Sequence, residues 1–298
     1  MAKDRTKVRQ PGNQPGKLRI RGMGLSMSLC RGEVRRYMQA GDLGKIYLSA
    51  LRDFVGFARD NRFEVIELVT VPAIHSGVLA GIAADIGQSI TGFRKVTCHL
   101  PLGEVNIAAL HPGIRREAIE ETKRDIDICA EVGISEAIIH PGCFATMPDF
   151  YRLVESEVRA LAELSVLEIY EHCKQKGIRL SVENLPRHEP LFQKPHEFYS
   201  LARNGLGLVL DTVHAFQSGV DPVDFIETLG NSISEVHLTD GVSSDSVAHH
   251  AIGQGEVDCL AVLDELQRRR FQGTIMLEVE RKEDVVKSMR YLAAAGYL

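Results

Sequence analysis

The chain has no tryptophan, no C-x-x-C pair, no G-x-G-x-x-G turn and no apolar run of about 18 residues. The missing tryptophan excludes nothing. Several of the six cysteines lie in expected helices or strands, which disfavours a disulfide framework. Cys30, Cys98, Cys129, Cys143, Cys173 and Cys259 instead suit reduced, packed thiols. With no long apolar run and no signal-peptide core, neither secretion nor membrane spanning is expected, and the cytoplasm is the expected compartment. A basic excess is also missing. Lys and Arg number 35 against 40 Asp and Glu, for a net charge of −5. That balance weighs against a duplex-binding surface.

Such positive charge as there is gathers at the start. Residues 1–17 carry Lys3, Arg5, Lys7, Arg9 and Lys17 against Asp4, together with Pro11, Gly12, Pro15 and Gly16. A segment of this composition buries too little apolar surface to offset the entropy of ordering. A flexible, disordered basic tail is therefore expected over 1–17.

From residue 18 to 298 strand-like and helix-like runs alternate, with no low-complexity linker to mark a second domain. The strand candidates are Leu18–Met27, Phe63–Thr70, Lys95–Pro101, Glu136–Gly142, Ile178–Pro186, Leu206–Ala215, Ile233–Asp240 and Gly273–Glu280. Most are short apolar runs with few alternating polar positions, as in strands covered on both faces. Helical periodicity lies between them. Ile114–Val132 places Ile119, Ile126, Cys129 and Ala130 on one side. Asp221-Pro222 reads as a helix start, and Gly133, Gly177 and Gly205 as helix stops. Such alternation means a parallel sheet, open or closed. The turn after Met27, Ser28-Leu29-Cys30-Arg31-Gly32, lacks the glycine fingerprint of open nucleotide-binding sheets. The expected fold is thus a single (β/α)8 TIM barrel over 18–298.

That fold gives meaning to six residues near the ends of six successive strand runs: His99, His140, Glu183, Asp211, His237 and Glu278. A barrel gathers the carboxyl ends of its strands around one mouth. Three imidazoles and three carboxylates meeting there would repel or stay unsatisfied unless a cation joined them. His214 follows Asp211 by three residues, a spacing that suits neighbouring metals. The competing reading is that Asp211 caps the next helix while His214 packs against it. The later loop His249-His250-Ala251-Ile252-Gly253-Gln254-Gly255 can turn one histidine inward, and His249 is the choice. Glu280 shares a strand face with Glu278, as an outer partner or as a solvated strand end. His75, His111, His172, His188 and His196 lack this logic.

Together these segments resemble the xylose isomerase-like TIM-barrel superfamily, which includes sugar isomerases, epimerases and the endonuclease IV branch (AP endonuclease family 2). The matching pieces are Cys98-His99-Leu100-Pro101 with Asn106-Ile107-Ala108, His140-Pro141-Gly142, Val182-Glu183-Asn184, Leu210 to Phe216, Val236-His237-Leu238, His249 before Gly253-x-Gly255, and Leu277-Glu278. They span about two thirds of the chain. The resemblance implies two chemistries. In the isomerases and epimerases, Glu183, Asp211, His237 and Glu278 match a single-metal set, with His214 on the substrate and both glutamates exchanging protons. In the endonuclease branch, His99, His140, His214 and His249 join them around a zinc cluster. That branch has an Asp where this chain has Val247, and Asp245 would substitute only in a rebuilt loop. The loops 71–76 and 143–147 lack backbone-gripping basic residues.

The leading expectation is a divalent-metal-dependent isomerase or epimerase of a small sugar or sugar phosphate. Glu183, Glu278 and His214 would act as its catalytic groups. The alternative is a zinc phosphodiester hydrolase, which gives His99 and His140 a task. Its substrate would be an abasic DNA site or a smaller phosphodiester, and the charge balance prefers the latter. A metal-holding barrel without either turnover is the third possibility. One to three ions are expected, zinc ahead of manganese given the histidines.

Overall fold

The structure, a computed structural model, describes residues 22–30, 41–144, 148–244 and 249–298. The expected tail 1–17, the start of the first strand candidate, part of its following turn, and Asp245 and Val247 lie outside the described residues.

Eight strands form in chain order: β1 (Gly24–Ser26), β2 (Val65–Val69), β3 (Lys95–His99), β4 (Glu136–Ile139), β5 (Arg179–Glu183), β6 (Gly207–Asp211), β7 (Ile233–Leu238) and β8 (Thr274–Leu277). Each pairs in parallel with the next, and β1 pairs with β8 through Gly24↔Met276 and Leu25↔Leu277 to close the barrel. Outside run α1 (Leu43–Asp60), α2 (Ser76–Ile90), α3 (Pro112–Glu131), α4 (Pro148–Lys176), α5 (Tyr199–Arg203), α6 (Thr212–Gln217), α7 (Pro222–Leu229), α8 (Cys259–Arg268) and α9 (Lys282–Ala294). No helix among the described residues is long and apolar enough to cross a membrane.

Local chemistry sets the boundaries. On α1, Leu48, Leu51, Phe54, Val55 and Ala58 recur at helical spacing and are buried. The Asp42 side chain caps its start by accepting from the Lys45 N–H. Asp221 caps α7 ahead of Pro222, as the sequence indicates. Helices α3, α4 and α5 stop at Gly133, Gly177 and Gly205, with φ of +84°, +70° and +87°. His75 and His111, two of the histidines set aside, are themselves helix caps.

The strands are shorter than the sequence runs. Strands β3, β5 and β6 end on the polar group singled out above, β4 and β8 one residue before it and β7 one residue after it, because there the chain leaves the ladder to form the mouth. Below the mouth, the barrel interior is polar too. From β3, Lys95 Nζ reaches Glu136 Oε2 on β4 at 2.8 Å, Thr274 Oγ1 on β8 at 2.7 Å and Glu235 Oε2 on β7 at 3.7 Å. The Ser181 hydroxyl of β5 donates to Glu136 Oε1. The usual interior of this fold is branched aliphatic side chains, so this layer is a departure.

Candidate metal centre

All eight candidate ligands meet at the carboxyl end of the barrel. They fall into three overlapping groups whose ligand atoms lie within 4.8 Å of one another: His99, His140 and Glu183; Glu183, Asp211, His237 and Glu278; and Asp211, His214 and His249. His140 is partly buried and the other seven are buried. The six strand-end residues come from β3 to β8, His214 from α6, and His249 from the loop between β7 and α8.

Glu183 stands at the middle. Its Oε2 lies 3.0 Å from His99 Nε2 and 3.5 Å from His140 Nε2. Its Oε1 lies 3.3 Å from His214 Nδ1 and 3.5 Å from His237 Nδ1. His237 Nδ1 is also 3.0 Å from Glu278 Oε2. His249 approaches Asp211 Oδ2 at 3.9 Å and Glu278 Oε1 at 3.6 Å. The rings of His99 and His140 sit 5.1 Å apart, and those of His214 and His249 5.6 Å apart.

The outward bonds of the histidines show which nitrogen faces inward. His99 Nδ1 donates to the Leu100 carbonyl at 3.0 Å, and a carbonyl can only accept. His99 Nε2 therefore presents a lone pair to Glu183, and either a proton or a cation must stand between them. His214 Nδ1 likewise donates to the Asn184 carbonyl at 2.9 Å, leaving Nε2 toward the group it forms with Asp211 and His249. Outer hydrogen bonds of this kind are characteristic of metal-ligating histidines. Asp211 bears out the capping reading and still keeps one oxygen toward the cluster. Its Oδ1 accepts from the His214 N–H at 2.7 Å and caps α6, while its buried Oδ2 has no hydrogen-bond partner.

The ionisation pattern carries the same strain. Burial opposes the charge of Glu183, yet His237, His140 and His214 hold it well below the carboxylate range. Burial, reinforced by Glu183 and Glu278, pushes Asp211 up to about 7. Burial also pulls His140 down to about 4. It opposes the charged form of His214 as well, but Asp211 and Glu183 override it and lift that ring to about 9. Burial is overridden again at His99 by Glu183, which leaves that ring raised. Without cations the cluster needs protons in conflicting places. Divalent ions would replace those protons, and the donor set of imidazoles and carboxylates fits them.

Three residues whose roles the sequence does not reveal hold the mouth together. Asn184 clamps Asp211 by accepting from its N–H at 2.7 Å and donating to its carbonyl at 3.1 Å. Asn106 ties the β3 loop to Cys143, after the His140-Pro141-Gly142 turn. There Gly142 has φ +112°, and a Cβ would collide with Ala108. Asp240 accepts from the N–H groups of Gly241, Gly253, Gly255 and Val257 at 2.8–3.0 Å, fastening the loop that delivers His249. Glycine signals the loop in sequence; nothing signals its anchor. Glu280 is exposed, so the solvated reading holds for it.

The comparisons agree with this fold. The family described as Xylose isomerase-like TIM barrel matches residues 55–295. The uncharacterized protein MJ1311 of Methanocaldococcus jannaschii is 26% identical over 206 residues, 66% of this chain and 69% of that protein. A probable endonuclease 4 of Thermotoga maritima is 27% identical over 174 residues, 51% of this chain and 57% of that one. Among solved structures, a D-tagatose 3-epimerase-like protein superposes with a TM-score of 0.71 at 22% identity, covering 92% of this chain and 96% of its own. At that identity the likeness speaks for the fold.

Proposed function

This chain belongs to the xylose isomerase-like TIM-barrel family, and from that premise we propose that it is a multi-metal phosphoester hydrolase. The observation that carries this reading is the placement of Glu183 between two pairs of imidazoles. One oxygen faces His99 and His140 and the other faces His214 and His237. A carboxylate so placed suits bridging between ions. A lone base at a sugar carbon would not need to be flanked on both oxygens, and this is our ground for ranking hydrolysis ahead of the epimerase, the reverse of the order taken from the sequence.

His99, His140 and Glu183 would hold one ion, Glu183, Asp211, His237 and Glu278 a second, and Asp211, His214 and His249 a third. Divalent ions there supply Lewis acidity to a phosphoryl oxygen and acidify an attacking water. The chain's own residues set the arrangement. Leu100 and Asn184 fix the tautomers of His99 and His214 through their carbonyls. Asp240 fastens the His249 loop through the N–H groups of Gly241, Gly253, Gly255 and Val257. The acid excess of the chain favours a small phosphoester over DNA.

One observation favours the epimerase reading. On the loop after β5, Glu189 keeps a buried Oε2 with no hydrogen-bond partner, suited to receive a substrate hydroxyl. The test is metal counting on zinc-loaded protein, with assays on bis(p-nitrophenyl) phosphate, an abasic-site oligonucleotide and ketoses. The expected result is two or three ions per chain and phosphoester hydrolysis that a chelator abolishes. A single ion, with solvent exchange at a ketose C–H and no hydrolysis, would overturn the proposal in favour of the epimerase.

A further inference from the structure

His237 lies between two layers of acids. Its Nδ1 faces upward to Glu278 Oε2 and Glu183 Oε1. Its Nε2 faces downward, 3.2 Å from Glu235 Oε1 and 3.4 Å from Glu67 Oε2. His237, Glu235 and Glu67 are all fully buried. An imidazole can offer an ion only the nitrogen that carries no hydrogen. Whatever accepts from one nitrogen therefore decides whether the other is available.

We propose that Glu235 is the positioning residue of the centre: it accepts the Nε2–H of His237 and so commits Nδ1 to the ion. The inference rests on the reading of His237 as a metal ligand. Glu235 precedes His237 by two residues on β7, so the strand's alternation puts both on the same face and the pair needs no second element to align it. From below, Lys95 Nζ stands 3.7 Å from Glu235 Oε2 while bonded to Glu136 and Thr274. The ammonium thus stands on the Oε2 side of the carboxylate, while Oε1 faces His237. Glu67 comes from β2, and neither of its oxygens makes a hydrogen bond. It stands as the spare acceptor, further from Nε2 and, among the described residues, without a Lys or Arg ion pair.

The two acids and His237 Nε2 also lie close enough to group around an ion of their own. Filling that pocket would require both ring nitrogens to ligate, with loss of the ring N–H. Glu235 as an acceptor needs no such step.

The experiment is Co²⁺ titration of the full chain, read by its visible spectrum and by chelator competition, for the wild type, Glu235→Gln, Glu235→Leu and Glu67→Gln. Circular dichroism and melting of the ion-free proteins check the fold, and Glu235→Met replaces the leucine variant if that does not fold. Gln keeps a carbonyl acceptor and Leu does not. The expected result is that Glu235→Leu weakens one ion about 10–100-fold, the range for outer partners of a ligand, and alters its spectrum. Glu235→Gln and Glu67→Gln are expected to stay within a few fold of the wild type. Equal losses for Gln and Leu, or wild-type affinity in a folded Leu variant, would overturn the proposal. So would an additional ion lost on Glu67→Gln, because His237 Nε2 would then be a ligand. A wild type that takes up no ion at all would instead sink the metal reading, and this inference with it.

Discussion

Two polar layers share the barrel interior, and they balance their charges differently. In the lower one, the Glu136 carboxylate takes the Lys95 ammonium and the Ser181 hydroxyl, while Lys95 also binds Thr274. The cation of that layer is covalently part of the chain. In the upper layer, the ion-pair partners of Glu183 and Asp211 are histidines. Imidazoles provide charge only by taking up protons, and burial opposes that most at His140, which it pulls down to about 4. Buried acids are tolerable in either case only with a positive partner. Lys95 gives Glu136 a cation carried by the chain itself, and the upper acids have histidines in that place.

The largest effect expected from breaking this contrast is at Glu183. Glu183→Gln keeps the shape and removes the charge shared by two proposed ions. Activity should fall by more than the ~100-fold typical of outer-partner changes, with metal content reduced and the ion-free melting temperature little altered. A grossly unfolded variant would show that Glu183 is structural.

Next comes Lys95→Met, which strips the lower layer of its built-in cation. Glu136 loses its ammonium partner, and breaking a buried pair typically costs about 3–5 kcal/mol. Urea denaturation should show a loss of that order that added zinc does not restore to the wild-type value. Equal stability would mean the lower acids are neutral as folded, erasing the difference between the layers.

The last test concerns an acid that belongs to neither layer. Asp125 on α3 is buried, and neither of its oxygens has a hydrogen-bond partner. Burial, with help from Glu121, pushes it up to about 8. Between the ordinary Asp value and 8 it is protonated when folded and ionised when unfolded. Stability should therefore fall as pH rises through that window, by about 1.4 kcal/mol per pH unit, and level off above it. Asp125→Asn should flatten the slope in denaturation curves taken from pH 5 to 8. An unchanged slope would show that Asp125 is ionised and has found a partner.

How legible each part was follows from the range of the interaction involved. Strand ends were readable because apolar runs stop where His99, Asp211 and Glu183 begin, and a barrel puts all such ends at one mouth. Helix limits were readable because Asp221, Pro222 and Gly133 act on their own neighbours. The capping of α6 by Asp211 and its place in the cluster looked like alternatives in sequence, because a one-dimensional reading gives each carboxylate one job. Asp240 was not legible as an anchor. An acid at a strand end reads as solvated until the loop folds back and brings four N–H groups to it. Lys95, Glu136, Glu67 and Glu235 gave no signal either, since each looks like an ordinary charge in or beside a strand.

The order of residues alone determined the number and succession of βα units and the set of side chains delivered to the mouth, because these follow from local periodicity and turn chemistry. Only the tertiary structure decided which nitrogen of each imidazole points inward, which acids share neighbours, and that Lys95 serves the lower layer and not the upper. Those choices depend on distances across the closed ring, between residues as far apart as Lys95 and Thr274, and they come into being only when β8 pairs with β1.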